Sequence, residues 1–207
     1  MNNLQNQLDQ IDKLIKIGKF KDSKKLFQLV LNPQKIERRN AVLIASYARR
    51  LHIPKVSLRI LRPYVRPRIH RFMIANEGEK AEYAAGLIQL GQINEALNLL
   101  KEIEYPKNYL KCFQIEASAH MSTWNYEYAE AALRKLLIVG EGKISSFDFM
   151  IADVNLAECL IYQRRFLEAN NKLNKLISKI DPDQNKLTLS KCYELKAECE
   201  LHEGGIF

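Results

Sequence analysis

Small side chains recur in step along this chain, and that register limits its folds more than any other feature. Ser23, Ser57, Ala96, Ala129 and Ala169 lie 34, 39, 33 and 40 residues apart. Twelve residues before Ala96 and Ala169 stand Ala84 and Ala157, each followed by an aliphatic residue at +3 (Leu87, Leu160) and a turn position at +7 (Gly91, Arg164). An aliphatic or aromatic residue follows at +9 (Ile93, Phe166). The same frame fits Ala117, His120, Trp124, Tyr126 and Ala129, then Ala45, Ala48, His52, Pro54 and Ser57, then Ile11, Leu14, Gly18, Phe20 and Ser23. A sixth copy opens at Ala197-Glu198-Cys199 and stops at Gly204-Gly205-Ile206-Phe207. A fixed period of this length marks a stacked array of units, none of which buries its apolar face alone.

The local pattern within each unit is helical. Leu4, Leu8, Ile11, Leu14 and Ile15 share a stripe, as do Leu87, Leu90, Ala96, Leu99, Leu100 and Ile103 in their segments. Breakers at Asn32-Pro33, Ile53-Pro54, Gly91, Pro106, Gly140-Glu141-Gly142 and Asp181-Pro182 leave segments of helix length between them. No alternating strand pattern persists, so the reading is an all-α chain of roughly eleven helices. Pro63 is expected to end the second helix of the second unit.

These residues resemble the tetratricopeptide repeat family over nearly the whole chain. The resemblance implies a right-handed α-solenoid of antiparallel helix pairs, with small residues where the two helices of a pair cross. Ala84 with Ala96, Ala117 with Ala129, and Ala157 with Ala169 match those crossing positions. Phe20, Ile93, Tyr126 and Phe166 are expected to anchor the second helix of each pair in the core. The units run approximately over 4–32, 36–66, 76–106, 108–140, 147–180 and 186–207, the last incomplete. That incompleteness suggests the N-terminal part of a longer protein, with the array as its docking or sensor arm.

Composition narrows the chemistry. No apolar run reaches the roughly 20 residues a bilayer requires. Cys112, Cys159, Cys192 and Cys199 form no close pair, which reads as reduced thiols in a cytoplasmic protein. Four scattered histidines and the cysteine spacing give no metal site. No phosphate loop, nucleophile elbow or metalloprotease helix occurs, so neither enzyme activity nor a cofactor is expected.

Partners are the more informative question. Residues 1–72 hold 17 Lys/Arg against 4 Asp/Glu, a net +13, while 73–207 hold 15 against 20, a net −5. The family resemblance implies a concave groove lined by first helices that takes a peptide segment or partner domain. The matching positions include Arg39, Leu43, Ser46, Arg49, Arg50, Glu82, Gln114, Ser118, Asn155, Glu158 and Tyr162. The cations near the start suit a partner of acidic character. The lysine and asparagine clamp by which some family members hold a terminal carboxylate has no match here. A second candidate is the cluster Arg59, Arg62, Tyr64, Arg66, Arg68 and Arg71, dense enough in guanidinium groups for an anion-binding patch. Its ligand is an acidic peptide, nucleic acid or a phosphorylated molecule, with a structural loop as the alternative. The polar asymmetry also allows head-to-tail self-association.

Overall fold

The computed structural model describes residues 2–31, 36–67, 74–103 and 109–203, the side chains of 2–4 and of 203 excepted. Among the described residues there are eleven α-helices and no strand. They are α1 (Asn2–Lys16), α2 (Phe20–Val30), α3 (Arg38–Arg50), α4 (Pro54–Val65), α5 (Glu77–Gln89), α6 (Ile93–Lys101), α7 (Cys112–Met121), α8 (Tyr126–Gly140), α9 (Ser146–Tyr162), α10 (Phe166–Ile177) and α11 (Lys186–Glu203). The chain divides into two compact units, Met1–Ile115 and Glu116–Phe207. In the N-terminal unit α1 packs on α2, α3 on α4 and α5 on α6, and α5 also lies against both α3 and α4. In the C-terminal unit α9 packs on α8, α10 and α11, and α10 on α11. In these contacts the two helices of a pair meet each other, and α5, α9 and α11 also meet helices of the pair before them, which is the contact pattern of an α-solenoid.

The small residues explain how closely the helices approach. Ala84, Ala96, Ala117, Ala129, Ala157, Ala169, Ser23 and Ser57 are all fully buried. Larger apolar side chains fill the space between pairs, among them Leu8, Ile11, Phe27, Leu61, Leu99, Leu133, Leu156, Leu160 and Leu173. Burying a residue such as Leu160 completely removes its whole side chain from water, worth roughly 1.5–3 kcal/mol each.

The turns inside the five pairs are copies of one another. Gly18, His52, Gly91, Trp124 and Arg164 all have left-handed backbone, with φ of 82°, 57°, 77°, 62° and 61°. Each donates its N–H to the carbonyl three residues back, and the following N–H reaches the carbonyl five residues back. Lys19 to Leu14 (2.8 Å), Ile53 to Ala48 (3.0 Å), Gln92 to Leu87 (3.0 Å), Asn125 to His120 (2.9 Å) and Arg165 to Leu160 (2.9 Å) are those longer bonds. This paired closure satisfies carbonyls that the helix end leaves open, and it demands a residue that tolerates positive φ. The second helix begins two residues later each time, at Phe20, Pro54, Ile93, Tyr126 and Phe166.

Two expectations need correction. Helix α4 does not stop at Pro63 but carries it in its last turn and ends at Val65. Proline there removes one N–H near the helix end, and Arg66 N–H still bonds the Arg62 carbonyl at 2.9 Å. The second-helix starters Phe20, Ile93, Tyr126 and Phe166 are only half-buried, so they are not core anchors. Three of them meet rings instead: Tyr126 stacks on Tyr162 and Phe166 on His202, while Phe20 lies tilted against His52.

Candidate partner-binding surfaces

In the N-terminal unit, α3 presents Arg39, Leu43, Ser46 and Arg50 at helical spacing, with Arg39 and Leu43 exposed and the other two half-buried. Arg39 pairs with Glu37 at the helix start, 2.6 Å away. Arg49 leaves that stripe and meets Glu82 of α5, Nε to Oε2 2.9 Å and Nη2 to Oε1 3.4 Å. Glu82 is 1% exposed and also accepts the Tyr109 hydroxyl at 2.7 Å. Burial opposes the Arg49 charge, but the Glu82 carboxylate outweighs it and holds that guanidinium above its ordinary pKa. Arg50 reaches across to Asp12 of α1 at 2.6 Å and lies over the Tyr47 ring at 5.4 Å. Burial raises the Asp12 pKa, while Lys16 and Arg50 lower it further than burial lifts it.

A matching pair sits at the start of α5. Asn76 and Glu79 form a reciprocal cap, each side chain accepting the other's N–H at 2.9 Å. The fully buried Glu79 carboxylate then takes Arg38 in a two-point fork, 2.6 and 2.7 Å. Charged groups at groove positions therefore tie α1 to α3 and α3 to α5. Arg49 and Glu82 join α3 to α5 and Arg50 joins α3 to α1; Arg39 and Leu43 are exposed and Ser46 is half-buried beside them.

In the C-terminal unit the same helix face looks different. Gln114 and Ser118 lie half-buried on α7, one in each unit by position. On α9, Asn155, Glu158 and Tyr162 follow at helical spacing. Tyr162 is 43% exposed and stacks parallel to Tyr126, ring centres 4.6 Å apart and planes 8° apart. Trp124, 76% exposed, stands edge-on to both, at 6.3 Å and 6.4 Å. Burial raises the Glu158 pKa; Lys191 at 3.6 Å pulls it down, and Glu198 and Glu194 push it up. Tyr128 stacks on His120 nearby in sequence at 5.3 Å and is itself exposed.

Trp124 and Tyr126 were not among the residues the sequence marks for binding. The available signal was the only tryptophan in the chain standing at a turn position where glycine is the easy choice. A large apolar ring held there cannot fold back into the preceding helix.

The arginine cluster is partly a helix face. Arg59 and Arg62 lie exposed on α4, and Arg66 at its C-cap is also exposed and 3.5 Å from Glu95. Tyr64 is half-buried, with the Arg38 guanidinium 5.0 Å from its ring centre. Arg68 and Arg71 lie outside the described residues, as do Gly204-Gly205-Ile206-Phe207.

Among the described residues no group of three metal-capable side chains converges, and no helix is long and apolar enough to cross a membrane. The four cysteines are free and buried, and burial pushes the Cys159 thiol up to about 12 and the Cys192 thiol to about 11.

No protein-family model matches the sequence, and no curated protein matches it either. Among solved structures, the chain is similar to a crystal structure of nearly identical TPR-like repeats from a Podosopora anserina kinesin light chain, at 16% identity. The match covers 80% of this chain and 91% of that one, with a TM-score of 0.56. Likeness at that identity speaks to fold, and it agrees with the left-handed turns, buried small residues and helix pairing: this chain has the tetratricopeptide-like repeat fold.

Proposed function

We propose that the chain is a non-catalytic scaffold or adaptor that holds a segment of another protein against the faces of its first helices, working in the cytoplasm. Repeats of this fold generally mediate protein–protein interaction and are typically non-enzymatic. The observation that carries the reading is the cluster of Trp124, Tyr126 and Tyr162, whose rings brace one another at the surface of the C-terminal unit. Tryptophan and tyrosine are the residue types that dominate binding energy at interfaces, because they offer large rigid area with few torsions to freeze. Glu158, half-buried on the same helix face as Tyr162, is held by Lys191 of α11 at 3.6 Å and braces the floor beside the rings. In the N-terminal unit the partner's acids meet Arg39, beside Leu43 and Ser46. Four buried, free thiols support a reducing compartment.

The test is selection of a random peptide library displayed on phage against the whole chain. Binders are expected, and replacing Trp124 and Tyr162 together by alanine is expected to weaken them about tenfold or more. No enrichment, or binders indifferent to both changes and to Arg39→Ala, refutes the proposal.

A further inference from the structure

The outer face of α4 carries Lys55, Arg59 and Arg62, continued by Arg66 at the C-cap, all exposed. Their spacing of four, three and four residues keeps them on one side of the helix, opposite the buried Ser57, Ile60, Leu61 and Val65. At 1.5 Å per residue the stripe runs roughly 16 Å. Among the described residues, Lys55, Arg59 and Arg62 make no ion pair, and Arg66 makes only the long, exposed one to Glu95. This contrasts with Arg38, Arg39, Arg49 and Arg50 of α3, every one of which is paired with a carboxylate. The cause is in the sequence: residues 38–76 hold ten Lys/Arg and no Asp or Glu. The acids that reach back from α1, α5 and the start of α3 are used on α3, and none is left for α4.

We infer that this stripe is a docking surface for the sugar–phosphate backbone of duplex nucleic acid. An acidic protein partner needs apolar anchors at the centre of its interface, and α4 has no exposed large apolar side chain. A membrane surface helix needs an apolar face to bury in lipid, and the apolar face of α4 is already in the core. A phosphate backbone needs neither: it is held by cations in a row, and guanidinium forks suit it best. Single-stranded binding relies on aromatic stacking platforms, and the one aromatic of α4, Tyr64, is half-buried with Arg38 over its ring. What remains is sequence-independent contact with a duplex backbone. It does not depend on the peptide reading above, which uses other helix faces.

The experiment is fluorescence anisotropy of the full chain with mixed-sequence duplex DNA and, separately, duplex RNA across a salt series. Four phosphate contacts predict a slope of log affinity against log salt of about −3.6, or roughly a hundredfold loss between 50 and 200 mM. Arg59→Ala with Arg62→Ala is expected to reduce the slope to about −1.8 and weaken binding tenfold or more, while leaving the thermal midpoint in place. Lys175→Ala with Lys179→Ala, remote in sequence and on α10 and its end, controls for charge alone and is expected to change neither. No binding to either duplex at 50 mM salt, or binding insensitive to the α4 changes, overturns the inference. So does tighter binding to phosphatidylserine vesicles or polyglutamate than to a duplex at equal charge concentration.

Discussion

Five identical turns filled by two glycines and three larger residues allow the backbone strain of this fold to be measured within one chain. Arg164 sits at φ 61° and makes no ion pair among the described residues, so replacing it by glycine removes little except a Cβ from a left-handed position. The left-handed state costs a non-glycine residue about 1–2 kcal/mol. Glycine gives back about 0.4–1 kcal/mol through the greater freedom of the unfolded chain. Arg164→Gly is therefore expected to stabilise by about 0.5–1 kcal/mol, and Gly91→Ala to destabilise by the same amount. Gly91 is the right partner because a Cβ built on it meets nothing within 4 Å, so its loss is conformational and not steric. Trp124 and His52 are poorer choices, since both carry ring contacts that glycine would delete. For a chain of this size each kcal/mol moves the thermal midpoint by about 2–4 °C, so opposite shifts of about 1–4 °C are expected. Urea unfolding of both variants beside the parent is the cleaner measure. Arg164→Gly that lowers stability, or Gly91→Ala that leaves it unchanged, refutes the claim that the shared turn sets these terms.

Three further outcomes follow from the packing. Glu82→Gln leaves the Arg49 cation facing a neutral group next to a buried site, which is expected to cost about 2–3 kcal/mol, with Arg49→Met restoring part of it; a urea midpoint unchanged by Glu82→Gln refutes the staple role. Ser57 Oγ is buried without a hydrogen-bond partner, unlike Ser23, whose hydroxyl donates to the Lys19 carbonyl at 2.8 Å. Ser57→Ala is thus expected to raise stability by about 1 kcal/mol and Ser23→Ala to lower it slightly, both read by thermal unfolding. Asp12 has a folded pKa below its ordinary 3.8, so its contribution is present above that value and lost as pH falls through the lowered one. An acid titration of stability is expected to be shallower below pH 4 in Asp12→Asn than in the parent; equal slopes dismiss the ion pairs with Lys16 and Arg50 as a source of stability.

Fold was readable because one physical requirement, close helix crossing, leaves a mark in a small set of residue types. Ala84 and Ala96 are fully buried, and Gly18 and Gly91 are left-handed, at the positions their spacing assigns them. The larger turn residues Trp124 and Arg164 were placed by the frame alone, since their own chemistry argues against positive φ, whereas histidine, as at His52, is among the side chains that tolerate it better. The second-helix starters misled because an aromatic two residues past a turn reads as a core anchor. In Tyr126 and Phe166 the ring instead slides sideways onto Tyr162 and His202, each 36 residues on, forming a surface stack between successive units. A pairing at that separation shows in the sequence only once the repeat frame is laid over it.

The binding positions were less legible because one residue type at one register serves two ends. Arg49, Arg50 and Glu82 fall where a groove ligand belongs, yet each neutralises a charge on an adjoining first helix. The C-terminal unit solves the same joining problem on the other helix of the pair, where Glu130 holds Arg134, Arg165 and Gln163, and Arg134 continues to Glu168. One charge pair, Lys191 with Glu158, still joins first helices there, and the rings gather where the pairs meet: Trp124 in the turn before α8, Tyr126 at the start of α8 and Tyr162 at the end of α9. The distinction between staple and ligand therefore turns on whether an acid lies one unit away on the same face. Applied along the chain, that criterion removes Arg49 and Arg50 from the binding surface, keeps Arg39 at its rim, and leaves Lys55, Arg59 and Arg62 of α4, a helix with no acid in its own sequence, without an ion pair among the described residues and available to a ligand outside the protein.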